Sequence, residues 1–464
     1  MISRLGLWIA RVFRGVVPDP FVIAVLLTVL TAVLAVLFGD WGGRSVSERG
    51  AALLDSWRGG SGLWKLMDFA MKMCLILVTG HALADAPVVR RGLRKLAGVP
   101  RTTAGAAAMV GFAACVCAVV NWGLGLIAGA ILAREVGRAF RSRGQAVHYP
   151  LIVAAGYTGL MVWHGGLSGS APLSMTSKVE AAKVLPASAM AGLGDVPVPL
   201  SQSLFSGMNL VVTGGLLVIV PVMLALLAPK QLEDCVLPPA GTDAAASDEE
   251  GLEAGPSTVP NRLERSALVM LLLAVPLAAA TWRFVQQKSL MEFGLNEFIA
   301  AMLMLGLVLH GSLRSYGKSA EEAAKGCAGI ILQFPLYAGI MAMMEVSGLA
   351  RMMAEAIASA GGTRLTPVLT FVAAAVTNLF VPSGGGQWAV QGPIALQSGM
   401  SAGVPMGKMV MSVAYGDQLT NMLQPFWALP LLAITGAKAR DIVGYCAVVM
   451  VAGGVWVGLW LVLM

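Results

Sequence analysis

The sequence is cut into uncharged apolar runs, and two of them, Ala104 to Ala133 and Thr366 to Gln397, extend to about thirty residues. A helix crosses the roughly 30 Å hydrocarbon core of a bilayer in about 20 residues. Such a run is too long for one upright span and too short for two complete ones. Both runs also carry helix-breaking residues near the middle: Asn121-Trp122-Gly123-Leu124-Gly125 in the first, Pro382-Ser383-Gly384-Gly385-Gly386 in the second. Inside a helix glycine costs about 1 kcal/mol and proline about 3 kcal/mol relative to alanine. In hydrocarbon, irregular backbone survives only where it is buried in protein or faces a polar cavity. The runs are therefore read as two re-entrant helical hairpins, 104–133 and 366–397, each with its break at a candidate site.

The rest of the chain suits the same medium. Of its 464 residues, 57% are hydrophobic and 12% charged, against roughly one quarter charged in a soluble domain. No strict alternation marks barrel strands, so the expected fold class is an all-α polytopic membrane protein. The six cysteines (Cys74, Cys115, Cys117, Cys235, Cys327, Cys446) are scattered and make neither a metal-ligand spacing nor a disulfide framework. The net charge of +7 sits in short segments between spans, which argues for topology rather than nucleic acid. No cleavable signal is evident. Residues 1–18, with Leu5, Trp8, Ile9, Val12 and Phe13 on one face and Arg4, Arg11 and Arg14 beside them, read as an interfacial amphipathic helix.

With the N-terminus cytoplasmic, Phe21 to Phe38 crosses outward and Leu66 to Leu83 returns ahead of Arg90, Arg91, Arg94, Lys95 and Arg101, as the positive-inside rule requires. Arg134, Arg138, Arg141 and Arg143 follow the first long run, so both of its ends read as cytoplasmic; one long tilted helix is the alternative. Tyr149 to Leu173 then crosses as a broken helix (149–173), interrupted by HGGLSGSAP at 164–172, and Phe205 to Ala228 returns. Residues 229–265, with eight acidic and three basic residues among Pro, Gly and Ser, read as a disordered cytoplasmic linker. A connecting span at 266–285 leads to spans at Glu297 to Gly311 and Cys327 to Leu349, then the second hairpin. A broken helix at 408–435, centred on YGDQLTNMLQPFW, and a last span from Ile442 to Met464 leave the C-terminus periplasmic.

The order of span, span, hairpin, broken span, span thus describes 19–228 and again 286–464. Residues rhyme as well: DPFVIAVLL at 19–27 resembles NEFIAAMLM at 296–304, Asn121 corresponds to Asn378, and AGYTGL at 155–160 resembles AYGDQL at 414–419. The extra span at 266–285 reverses the second copy, which makes the pair inverted-topology repeats of the kind secondary transporters use.

The strings VPSGGGQWAVQGP (381–393) and GDQLTNMLQPFWALPLL (416–432), with VVNWGLGLIAGAI (119–131) and HYPLIVAAGYTGLMVWHGG (148–166), resemble the short-chain fatty acid transporter family within the ion transporter superfamily. The resemblance covers essentially the whole chain. It implies uptake of short-chain monocarboxylates such as acetoacetate or butyrate across the bacterial inner membrane, and the superfamily implies paired re-entrant hairpins and elevator-like movement of a transport domain. The expected mode is cation-coupled symport with alternating access.

A short-chain carboxylate needs donors for its oxygens and an apolar pocket for its tail. Ser383 is placed to cap the returning half-helix while Gly384, Gly385 and Gly386 present amides, with Gln387 next in line; such a terminus carries roughly +0.5 of an elementary charge. Helix packing is the other use of these glycines. Asn121, with Gly123 beside it, and Asn378 occupy matched hairpin positions, as carbonyl ligands to a cation, amide donors to substrate, or helix caps. Asp417 sits mid-span near Thr420 and Asn421, where a carboxylate is costly and usually functional. It is read as the coupling-ion site, for Na⁺ or a proton, with Thr158 as its first-repeat counterpart. His164, beside Ser168 and Ser170, serves substrate, a proton, or a local hydrogen bond. Trp122, Trp163, Trp388 and Trp427 flank the breaks and either line a cavity or pack between helices.

Competing readings are few, and transport of another small organic anion comes first. Gly166-Leu167-Ser168-Gly169 matches the GxSG pattern of an intramembrane serine protease, with His81 or His310 as base; HExxH is absent. A channel is the third class, and saturation of flux separates it from a carrier. No cofactor beyond the coupling ion is implied. The expected partners are a small carboxylate and the bilayer, with room for a homodimer and none for nucleic acid.

Overall fold

The computed structural model describes residues 18–182, 197–231, 258–287, 295–352 and 362–464, with isolated positions besides. The interfacial-helix expectation for 1–18 falls largely outside these residues, as do 237–257 of the linker. Among the described residues all regular structure is helical. Among the described residues seven helices are long and apolar enough to cross a membrane, and Ile299–His310, Thr366–Asn378 and Pro425–Thr435 are shorter apolar helices.

The first, α1 (Pro20–Phe38), starts where the Asp19 carboxylate accepts from the Phe21 amide ahead of a proline-containing first turn. It buries only Pro20, Ala24, Thr31 and Ala35, a stripe that faces the protein while Leu26, Val29 and Val33 stay exposed, as lipid contact demands. The segment between the first two spans contains α2 (Val46–Arg58), opened by a reciprocal cap between Ser45 and Glu48. That signature was present in the sequence. Then come α3 (Met67–Asp85) and α4 (Pro87–Ala97), the latter carrying Arg90, Arg91, Arg94 and Lys95 on a helix.

The first hairpin consists of α5 (Thr103–Val120) and α6 (Trp122–Ser142), packed side by side and joined at Asn121, whose backbone is extended. Its ends lie together: the Arg143 guanidinium donates to the carbonyls of Gly98 and Pro100 at 2.9 and 3.1 Å, and the His148 amide donates to Thr103 Oγ1. The second arm runs past Ala133, the expected end. Arg134 and Glu135 are buried, because Arg134 pairs with Asp85 at 3.2 Å and Glu135 with Arg138 at 2.7 Å. A loop-charge reading cannot see that compensation.

The first broken helix is α7 (Tyr149–Tyr157), two 3₁₀ turns (Thr158–Met161 and Trp163–Gly165) and α8 (Ser170–Ser174). Its regular part stops at Tyr157, earlier than the 164–172 break the glycines suggested. Backbones explain the early stop: a Cβ on Gly129 would lie 2.1 Å from Gly156 O, and one on Gly159 2.7 Å from Ala114 O, so α6 and α5 press on this segment from both sides. After α9 (Gly207–Leu227) the chain enters the linker, whose start is docked rather than free. Tyr149 N donates to Val236 O, and Val236 N donates to the His148 ring.

The second half runs through α10 (Ala267–Gln287), α11 (Leu295–His310), α12 (Leu313–Ala324) and α13 (Ala328–Val346). The second hairpin is α14 (Thr366–Asn378) and α15 (Gly384–Ser401); its ends also meet, with Thr363 Oγ1 donating to Ala402 O at 2.7 Å. The second broken helix is α16 (Met406–Thr420), a 3₁₀ turn at Asn421–Leu423, extended Gln424 and α17 (Pro425–Thr435). α18 (Ala439–Leu463) closes the chain. The same element order thus occurs twice, and the two broken helices are sewn together: Tyr157 OH donates to the carbonyls of Asn421 and Gln424 at 2.7 and 2.8 Å.

Candidate functional site

An accounting of amides separates the two hairpin tips. At the start of α6, Trp122 N donates to Ser168 Oγ at 3.0 Å, and Gly123 N and Leu124 N donate to Asn121 Oδ1 at 2.9 and 3.2 Å. Every amide of that first turn has a protein acceptor. At the start of α15, Ser383 Oγ accepts from Gly386 N at 3.2 Å, while the amides of Gly384 and Gly385 have no acceptor among the described residues. A Cβ on Gly385 would meet nothing within 4 Å, so the backbone there lies open to a ligand. Gly384 is the opposite case: its Cβ would fall 2.6 Å from Ser170 Oγ and 2.7 Å from the Trp163 ring.

These groups face a cavity of about 190 Å³ lined by Phe69, Trp122, Leu160, Trp163, Ser168, Ser170, Ser383, Gly384, Gly385, Asn421 and Trp427. No lining side chain is charged. An anion there would meet hydroxyls, two free amides and the positive end of α15, and its apolar part would meet aromatic rings.

Behind Ser170 the site continues as a hydrogen-bonded chain. His164 is fully buried; its Nε2 accepts from the Ala171 amide at 3.1 Å and lies 3.3 Å from Ser170 Oγ, and its Nδ1 lies 2.7 Å from Asp417 Oδ2. Since Nε2 accepts, the ring proton belongs on Nδ1 and the Asp417 carboxylate receives it. The other carboxylate oxygen, Oδ1, is buried without a partner among the described residues. Gln418 Oε1 accepts from the amides of His164 and Gly165 at 3.0 and 3.1 Å, which fixes the first break against α16. Beside this, Asn378 Nδ2 is surrounded by the Asp417 carbonyl at 2.7 Å, Asn421 Oδ1 at 2.8 Å and Thr420 Oγ1 at 3.1 Å, and Gln424 Nε2 donates to the Asn378 carbonyl. Asn378 Oδ1 and Gln424 Oε1 remain buried without partners among the described residues, as oxygens able to meet a small cation. Among the described residues no group of three or more His, Cys, Asp or Glu could hold a metal.

A family model described as "Short chain fatty acid transporter" matches residues 1–464. A protein of Escherichia coli (strain K12) bearing that family's name is 37% identical over 458 residues, covering 98% of each chain. The chain belongs to the short-chain fatty acid transporter family. A Haemophilus influenzae relative of the same name is 34% identical over 454 residues, covering 97% of each chain. Among solved structures, Neisseria gonorrhoeae MtrF, described as illuminating a class of antimetabolite efflux pumps, aligns at TM-score 0.42 and 17% identity over 98% of this chain and 97% of its own. The Alcanivorax borkumensis YdaH transporter aligns at TM-score 0.43 and 15% identity over 96% and 98%.

In this family member the structure gathers some of the sequence candidates and parts others. Ser168, Ser170, Ser383, Gly384, Gly385, Asn421 and Trp427 share the cavity. His164 stands behind it, one bond from Ser170. Gly386 spends its amide on the Ser383 cap. Gln387 bridges the hairpin arms, donating to Ala374 O and Gln391 Oε1, and Asn121 Oδ1 and the Gly123 amide are joined in the α6 cap. Asp417, Asn378, Thr420 and Asn421 form one cluster. Thr158 stands outside it, its hydroxyl donating to Ala155 O at 2.8 Å beside Cys115, because the first break begins there whereas the second begins at Asn421. Neither proposed protease base reaches Ser168: His81 lies with Asp85 and Arg134, and His310 with Ala82 O and Ser315. Phe69 and Leu160 were not anticipated. Both sit in ordinary apolar tracts, where no local signal tells a lining residue from a packing one.

Proposed function

We propose that the chain takes up short-chain monocarboxylates, of the butyrate and acetoacetate type, across the bacterial inner membrane by cation-coupled symport with alternating access. The observation that carries this reading is the free pair of amides at Gly384 and Gly385, opening on an uncharged, aromatic-walled cavity with Asp417 behind it. The anion binds at the α15 terminus, and its tail lies against the rings. A carboxylate repels a carboxylate, so the anion and Asp417 coexist near one another only when Na⁺ or a proton compensates Asp417; cation and substrate then bind as a pair. Asp417 Oδ1, Asn378 Oδ1 and Gln424 Oε1 are the oxygens offered to that cation. The repeated element order supports inverted repeats whose hairpins exchange access from the two faces, with the N-terminus cytoplasmic and the C-terminus periplasmic. Uptake of labelled butyrate into proteoliposomes, with Na⁺ and proton gradients imposed independently, tests the proposal. Saturable accumulation driven by one of them is expected, and uptake indifferent to both overturns the coupling.

A further inference from the structure

We infer that a braced aromatic wall sets the upper limit on the substrate's carbon chain, with Phe69 as the residue that fixes it. The inference rests on the carboxylate reading of the cavity given above. Phe69, Trp122 and Trp427 lie in mutual ring contact: Trp122 to Trp427 is 5.3 Å at 73°, Phe69 to Trp427 is 5.9 Å at 78°, and Phe69 to Trp122 is 6.4 Å. All three line the cavity that also contains the Gly384 and Gly385 backbone. The glycine tip borders Ser170 and Trp163, so an acid anchored there directs its tail away from them, toward the three rings.

A second row of rings holds the first in place. Phe334 lies 5.8 Å from Phe69, Phe426 lies 5.1 Å from Trp427, and Phe334 and Phe426 stack on each other at 4.0 Å. Tyr337 backs Phe426 at 4.9 Å. Phe334 and Phe426 are fully buried. Close-packed interiors leave such rings no empty volume to swing into, so a tail long enough to reach the wall must displace a braced ring rather than enter free space. The cavity of about 190 Å³ is already smaller than the roughly 300–1,000 Å³ of pockets that take drug-sized ligands.

Phe69 is the member of the wall through which chain length is best read. Trp122 belongs to the first hairpin and Trp427 to the second broken helix, so replacing either alters an element that itself builds the site. Phe69 stands on α3, outside the hairpins and broken helices, and touches Trp122, Phe334 and Trp427 at once.

The test is equilibrium binding of labelled butyrate to the purified full-length protein, competed by straight-chain acids from acetate to octanoate, for the wild type, Phe69→Ala and Phe69→Leu. One methylene in an apolar pocket discriminates by about 10-fold or more. The wild type should therefore bind hexanoate at least about tenfold more weakly than butyrate, Phe69→Ala should erase or invert that ratio, and Phe69→Leu should fall between. Should Phe69→Ala fail to fold, Phe69→Leu reads the same ratio with an apolar side chain kept in place. Butyrate binding with an unchanged hexanoate-to-butyrate ratio in the folded variants overturns the wall, whereas no binding of any straight-chain acid by the wild type overturns the carboxylate reading beneath it.

Discussion

His164 Nδ1 lies 2.7 Å from Asp417 Oδ2, with 0% and 1% of the two side chains exposed. The pair joins the first broken helix to the second across the centre of the molecule. The Ala171 amide, by donating to Nε2, fixes the tautomer that makes the contact a charge-assisted hydrogen bond.

Asp417→Asn preserves an oxygen that accepts from the His164 Nδ1 proton, so folding should survive the change. The charge does not. Gradient-driven accumulation of substrate should disappear, and whatever equilibrium binding remains should lose its dependence on Na⁺ and on pH. Binding of labelled butyrate across a Na⁺ series and a pH series measures this; an ion dependence matching the wild type would return Asp417 to a structural role.

His164→Ala should be far more damaging to the fold than Asp417→Asn. It leaves a buried carboxylate without its donor and the Ala171 amide without its acceptor, and each buried group left unsatisfied costs about 1–3 kcal/mol, more for a charged one. Thermal unfolding of the two purified variants should place His164→Ala well below the wild type and Asp417→Asn close to it. Equal melting of all three would mean that the hydrogen bond contributes little.

Adjacent glycines at the second tip should respond in opposite ways. Gly384→Ala forces its Cβ against Ser170 and Trp163, an overpacking that costs about 1–3 kcal/mol, and protein abundance should fall. Gly385→Leu enters open cavity, so abundance should hold while substrate binding is lost by steric obstruction of the amides. Abundance and binding measured on the same membranes decide this; a collapse of Gly385→Leu with normal binding in the surviving protein would show that this glycine serves packing.

The joined ends of the first hairpin predict a labelling result. Val99 and Gln145 are both exposed, and they flank the bonds from Arg143 to Gly98 and Pro100. Cysteines introduced at 99 and 145 should react with an impermeant thiol reagent from the same face of the membrane, the cytoplasmic one. Reaction from opposite faces would refute the hairpin and the repeat built on it.

Much of this was written in the chain itself. A medium without water forces apolar runs into helices and confines backbone breaks to protected places, so the spans, both hairpins and the Asn421 to Gln424 interruption follow from local composition. Asp417 stood out for the same reason, as a charge where charge is expensive. Tertiary structure decided what local sequence cannot carry. Both tips have the residues to offer amides, yet Ser168, arriving from the break of the first broken helix, helps close the first one, and among the described residues nothing comparable closes the second. Arg134 reads as a loop charge until Asp85, 49 positions earlier, is seen to neutralise it inside the protein. The first broken helix ends at Tyr157 because two hairpin arms press their backbones against Gly156 and Gly159, and Phe69 becomes a wall of the cavity only because α3 brings it against Trp122 and Trp427. Each of these depends on which distant group supplies a hydrogen bond, a counter-charge or a contact surface, and that is settled by packing across the fold rather than by the residues alongside.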